Sequence, residues 1–204
     1  MGNNSFNYRS DSAIPAPVLI SKSVLSWSRL REGIRKSESW KIIDDAKKAL
    51  SRMPDGKRGI VLGSGDNTDL WKKKGWKTLD VKPTSKVDFV ADANNLEKVI
   101  APSSQDFLLA EYISFDLTGK KGVIAKNLIE QSNKVLKIGG ILIIETGHHE
   151  GWPWPDPLPN KTDFANLMAN NGFQTVLEQD KVEVWAETVR QQGVVYYGKK
   201  LTWD

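Results

Sequence analysis

Five short apolar runs divide this chain, and four of them stop at a carboxylate. The first, Gly59-Ile-Val-Leu62, enters a turn with glycines at 63 and 65, and Asp66, Asn67 and Thr68 then have the character of a helix start. Residues 77–81 end in Asp80 and Val81, and residues 87–93 in Asp92 and Ala93. Residues 106–112 end in Glu111 and Tyr112, and residues 140–146 in Glu145 and Thr146. Apolar runs of this length, bounded by turn signals, suit strands buried on both faces in a parallel sheet. Between them the apolar spacing becomes helical. Trp40, Ile43, Ala46, Leu50 and Met53 predict a helix over 37–53, stopped by Pro54-Asp55-Gly56. Short helices are predicted over 69–75 and 94–100, and a long one over 118–137 with Gly139 and Gly140 as its terminator. Another is predicted from Thr162 to Met168, ended at Asn171-Gly172. The tail alternates over 181–187 and 194–197 around a turn at Gln191-Gln-Gly193, which predicts a closing antiparallel hairpin at the sheet edge.

Five runs and two tail strands make seven. Alternating with helices, they predict an α/β three-layer sandwich with a mostly parallel seven-stranded sheet whose last strand is antiparallel. Residues 1–36 read as an extension or lid: a proline-marked lead-in (Ile14-Pro-Ala-Pro17), then a short helix within 21–33. Residues 37–204 read as one domain, and the chain shows no internal repeat.

Composition narrows the chemistry more than the fold. The 204 residues include no cysteine, which removes disulfides, thiolate metal sites and thiol nucleophiles together. Methylation of pyrimidine carbon 5 through a covalent thiol adduct is therefore excluded. No run reaches the roughly 20 apolar residues of a membrane helix, and the first residues lack a secretory pattern. A cytoplasmic, membrane-free protein is the expectation. The net charge of +4 is spread over separate lysine groups, 72–74, 120–121 and 199–200, so a nucleic-acid partner is not implied.

Carboxylates that end successive parallel strands converge on one sheet edge, where open α/β sheets bind ligands. A glycine-rich turn lets a ligand approach the backbone closely. An acid after the second strand can accept both hydroxyls of a ribose, and one after the third suits the donors around an adenine or its sugar. With these residues in order, the chain over about residues 37–204 resembles the class I S-adenosylmethionine-dependent methyltransferases. Gly63-Ser64-Gly65 is similar to their cofactor loop, Asp80 to the ribose acid, and Asp92-Ala93 to the adenine-side pair. Val135-Leu-Lys-Ile-Gly-Gly-Ile-Leu142 is similar to the lead into their fifth strand. The resemblance implies S-adenosylmethionine as cofactor, S-adenosylhomocysteine as product, and contacts from Gly63, Ser64, Gly65, Asp80, Val81, Asp92, Ala93 and Glu111. The chain departs from the family at two places. Val61 stands where an acid usually precedes the loop, and Asn67 replaces the third glycine. Asn67 tolerates a left-handed backbone better than most residues, and Asp66 is the nearest stand-in for the acid.

Methyl transfer relies mainly on positioning, and an oxygen acceptor also needs its proton removed. His148 and His149, the only histidines, follow the fifth run and are the candidate general bases. With Glu150 they form one contiguous segment, too short a wrap for a metal, so no metal is expected. Trp152 and Trp154, in the stiff Gly151-Trp-Pro-Trp-Pro155 segment, offer flat walls for an acceptor, with Asp156 and Tyr112 beside them. Trp71 and Trp76 are expected in the packing instead. At the fourth strand Ala110-Glu-Tyr-Ile113 replaces the Asp/Asn-Pro-Pro-aromatic motif of nucleic-acid amino methyltransferases. The expectation is methyl transfer to oxygen or nitrogen of a small-molecule or sugar-like acceptor. Two alternatives stay open: an RNA or protein methyltransferase, and a non-catalytic protein on a degenerate methyltransferase fold.

Overall fold

The computed structural model describes residues 18–20, 30–83, 86–111, 113, 115, 122–148, 161–186 and 189–201. In chain order the elements are β1 (Val18–Ile20), α1 (Leu30–Ser51), β2 (Gly59–Leu62), α2 (Thr68–Lys73), β3 (Lys77–Asp80) and β4 (Phe89–Val90). They continue with β5 (Gln105–Glu111), α3 (Ala125–Val135), β6 (Leu136–His148), α4 (Lys161–Asn170), β7 (Phe173–Ala186) and β8 (Val189–Lys200). Two 3-10 segments, Gly65–Asn67 and Ala93–Lys98, follow β2 and β4.

The strands form one sheet in the order β1-β7-β8-β6-β5-β2-β3-β4. β8 runs antiparallel to both its neighbours, β6 and β7. All other pairings between these strands are parallel. The seven expected strands are therefore present with the expected antiparallel last strand, and β1 adds an eighth beside β7. β8 is not at the edge: it is inserted between β6 and β7, so the closing hairpin reaches into the sheet.

Alternation along the strands splits the core into two layers. Val61, Phe107, Leu109, Ile141 and Ile143 face α1, packing with its Ile42, Ile43, Ala46 and Ala49 and with Trp71 and Trp76. Ile60, Leu62, Leu108, Ala110, Leu142 and Ile144 face the other way, onto Leu128 and Ile129 of α3 and Met168 of α4. Both tryptophans are core residues, as expected. Trp76 is wedged between Trp71 and Phe107, and its indole N–H donates to the Ala49 carbonyl at 2.8 Å.

Several boundaries differ from the sequence pattern, β7 among them: it starts at Phe173, well before the predicted 181. α1 begins at Leu30, seven residues before the predicted start at 37. α3 begins only at Ala125, and Val123 instead bridges to Phe115. α3 also ends at Val135: Gly139 and Gly140 lie inside β6, where the register with β5 shifts between Gln105 and Phe107. The expected turn at Gln191-Gln-Gly193 is strand, paired with 181–183, and the hairpin closes between Ala186 and Val189. Strand pairing with β6 and β7 on both sides overrides the local turn signal of a single glycine.

Candidate functional site

The parallel strands deliver their carboxylates to one edge. Asp80 ends β3, Asp92 follows β4 by two residues, and Glu111, which ends β5, is the register partner of Glu145 in β6. The glycine loop crosses the same edge from β2. Gly63 has φ +74° and Gly65 φ +45°, conformations that disfavour a side chain. Gly63 donates its N–H to the Leu79 carbonyl at 2.9 Å, which locks the loop to β3. Above Gly65 nothing lies within 4 Å of where a Cβ would stand, so the backbone there is open to a ligand.

Ser64 turns its side chain inward. It is buried, and its hydroxyl pairs with that of Thr68 at 3.0 Å, while Thr68 also donates to the Gly65 carbonyl at 2.9 Å. Only the Ser64 backbone is left for a ligand. Asp80 links loop and strand: Oδ2 accepts the Gly65 N–H at 3.0 Å, and Oδ1 accepts the Lys82 N–H at 2.9 Å. A carboxylate oxygen has two lone-pair sites, so each retains acceptor capacity. Val81, next to it, is 67% exposed, an apolar surface beside the acid. Asp92 caps the following 3-10 segment through the Asn94 N–H at 2.8 Å, and Ala93 is buried beneath it. Asn94 in turn accepts the Ile124 N–H at 2.9 Å, joining this corner to the start of α3.

Glu111 is 8% exposed, and both of its oxygens are engaged. Oε1 accepts from Asn67 Nδ2 at 3.1 Å and Oε2 from Trp71 Nε1 at 2.6 Å. Burial pushes its carboxyl above the usual glutamate range, and the neighbouring Glu145 charge adds to that. The Trp71 and Asn67 donors and the Lys74 ammonium oppose the shift. Lys74 Nζ lies 4.3 Å from the centre of the Trp71 ring. Sequence reasoning missed the part played by Asn67 and Trp71. Asn67 has φ −83°, not a left-handed backbone, so its contribution is the side-chain amide. Its place at the third-glycine position was the one signal available.

Asp106 lies at the far end of β5 from Glu111, away from the loop. It binds Lys57, Lys137 and the Arg58 N–H at 2.8–3.1 Å. His148 ends β6, its backbone level with Gln192 of β8. His149, Tyr112, Trp152, Trp154 and Asp156 lie outside the described residues. Among the described residues no cluster of metal-ligating side chains occurs, and no helix is long and apolar enough to cross a membrane.

No protein-family model matches this chain, and no curated protein matches its sequence. Solved structures do match its fold. A SAM-dependent methyltransferase from Archaeoglobus fulgidus superposes with a TM-score of 0.57 at 13% identity, over 81% of this chain and 94% of that one. A chain from the complex of the Haloferax volcanii Trm112 methyltransferase activator with a methyltransferase gives 0.53 at 15% identity, over 84% and 96%. Geranyl diphosphate C-methyltransferase from Streptomyces coelicolor A3(2), in complex with Mg2+, geranyl diphosphate and S-adenosyl-L-homocysteine, gives 0.52 at 10% identity, over 83% and 80%. The chain has the class I methyltransferase fold.

Proposed function

We propose that this chain binds S-adenosylmethionine at the loop of residues 63–65 and transfers its methyl group to oxygen or nitrogen of a small-molecule or sugar-like acceptor. The observation that carries the reading is the Gly65–Asp80 contact. It joins an open, positive-φ loop to an acid at the carboxyl edge of a sheet with the methyltransferase strand order. Solved neighbours at this fold level include an enzyme holding S-adenosylhomocysteine, which supports the choice of cofactor. When bound, S-adenosylmethionine supplies an electrophilic methyl group on a sulfonium sulfur.

The chain's own residues then have separable tasks. The loop backbone from Gly63 to Gly65 would run along the methionine part, and Asp80 would accept the ribose hydroxyls through its remaining lone pairs. Val81 offers an apolar surface to the base, and Asp92 and Ala93 border it. His148 or His149 would take the proton of an oxygen acceptor, and the segment carrying Trp152, Trp154 and Asp156, with Tyr112, would wall the acceptor.

The test is turnover. The purified protein is incubated with methyl-labelled S-adenosylmethionine and pools of hydroxylated, sugar and amine acceptors, and S-adenosylhomocysteine is measured. Acceptor-dependent product supports the reading. Label transferred only to RNA or protein moves the acceptor to the alternative class, and tight cofactor binding without product in any pool favours a non-catalytic role.

A further inference from the structure

We propose that Glu111 is the positioning residue of the glycine loop, a carboxylate on β5 that fixes the loop and the start of α2 through Asn67 and Trp71. The purpose of the clamp rests on the cofactor reading above, while the clamp itself belongs to the free chain. It accounts for both departures of the loop together. Val61, where the family carries an acid, is fully buried among Trp71, Trp76 and Leu109. The β2–β5 register sets Val61 level with Leu109, and Glu111 is the next residue of β5 on that same face. A carboxylate therefore reaches this corner from the neighbouring strand.

Asn67, where the family carries a glycine, supplies the loop's half of the contact. Its amide donates to Oε1 at 3.1 Å, and the Trp71 indole, one helical turn on, donates to Oε2 at 2.6 Å. An ionised carboxylate only accepts, so one group satisfies two donors, which a glutamine cannot do because its amide nitrogen donates. Asp66, the nearer acid in sequence, is exposed. The loop also passes close to the strand end: a Cβ on Gly63 would meet the Glu111 carbonyl oxygen at 3.3 Å. Gly63 thus has no room for a side chain beside the Glu111 carbonyl, and the Asn67 side chain binds the Glu111 carboxylate.

Reciprocal substitution tests the clamp in the free protein. The N–H groups of Gly63, Gly65 and Asn67 donate to the Leu79 carbonyl, Asp80 Oδ2 and the Ser64 carbonyl, so their amide exchange reports loop opening. Asn67→Asp sets two carboxylates against each other, and Glu111→Ala removes the acceptor of both donors. Each should speed exchange at these amides and weaken S-adenosylhomocysteine affinity by about tenfold, the scale of one hydrogen bond to a charged group. In the double variant Asn67→Asp/Glu111→Gln the new amide can donate to the new carboxylate while its carbonyl accepts from Trp71. Both readouts should return to within about threefold of the parent. A pair with a structural role alone would show the rescue in exchange but leave S-adenosylhomocysteine affinity unmoved in every variant.

Unchanged exchange in both single variants, or a double variant as fast as Asn67→Asp alone, would overturn the proposal. Exchange that follows the pattern in a parent that binds no S-adenosylhomocysteine upholds the clamp and removes the cofactor reading. Asn67 is exposed, so Asn67→Ala gives the same exchange test should Glu111→Ala fail to fold.

Discussion

Gly63 and Glu111 meet at the edge of the sheet: a Cβ on Gly63 would stand 3.3 Å from the Glu111 carbonyl oxygen and 3.2 Å from Ile113 Cγ1. Over Gly65, two residues on, the same construction meets nothing. The two glycines therefore answer to different constraints, the first to packing and the second to whatever lies over the loop. Gly63→Ala should cost roughly 1–3 kcal/mol of stability, from the left-handed backbone and the crowding together. Gly65→Ala should cost about 1 kcal/mol from backbone strain alone, yet lose S-adenosylhomocysteine affinity by tenfold or more. Urea unfolding and binding titration on the two variants check this. Equal affinity in Gly65→Ala and the parent would mean that no ligand crosses the loop.

Asp80 joins the loop to the end of β3. Asp80→Ala removes the acceptor of the Gly65 N–H and of the proposed ribose hydroxyls, and should weaken adenosyl-ligand binding by at least about tenfold. The Gly65 N–H is at the surface and can turn to water, so the variant should remain folded by circular dichroism. Binding as tight as the parent's would show that β3 does not present its acid to the ligand.

The Glu111 carboxyl sets a sign for pH dependence. Its folded value lies above the ordinary 4.5, through burial first and then the Glu145 charge, with Trp71, Asn67 and Lys74 pulling the other way. Between the unfolded and folded values the native state holds more protons, so this group's contribution to stability falls as pH rises through that window. Glu111→Gln does not titrate. The unfolding free energy of the parent, compared with that of Glu111→Gln, should improve as pH is lowered from neutrality toward 4.5. A pH-independent difference would show that Glu111 titrates normally.

Asp106 has the opposite sign and a different place. Burial pushes its carboxyl up, but hydrogen bonds from Lys137, Lys57 and the Arg58 N–H outweigh it and hold the value below the ordinary 3.8. Its contribution is fully present above 3.8 and is lost as pH falls through the lower folded value. Asp106→Ala should cost roughly 1–3 kcal/mol and leave S-adenosylhomocysteine affinity within about twofold of the parent, because it acts at the far end of β5. A large loss of affinity would place it in the ligand site.

The ends of β3 and β5 were legible in the sequence because each is a short apolar run closed by an acid, a pattern with few structural solutions. Asp80 and Asp92 followed from position alone. The partners of Glu111 did not, because Asn67 and Trp71 lie 44 and 40 residues away and meet it only once β2 and β5 are paired. β1 was hidden for a related reason: Val18–Ile20 is too short to show a period, and it becomes a strand only where β7 lies beside it. Gln191-Gln-Gly193 read as a turn on local composition and became strand through pairing with both β6 and β7. Local chemistry placed the acids, and tertiary pairing decided what each acid holds.

Calorimetric titration of the purified protein with S-adenosylmethionine and S-adenosylhomocysteine, with NAD as control, tests the central claim most directly. The account predicts micromolar binding of both adenosyl ligands and none of NAD. Failure of both adenosyl ligands to bind a folded protein would contradict it.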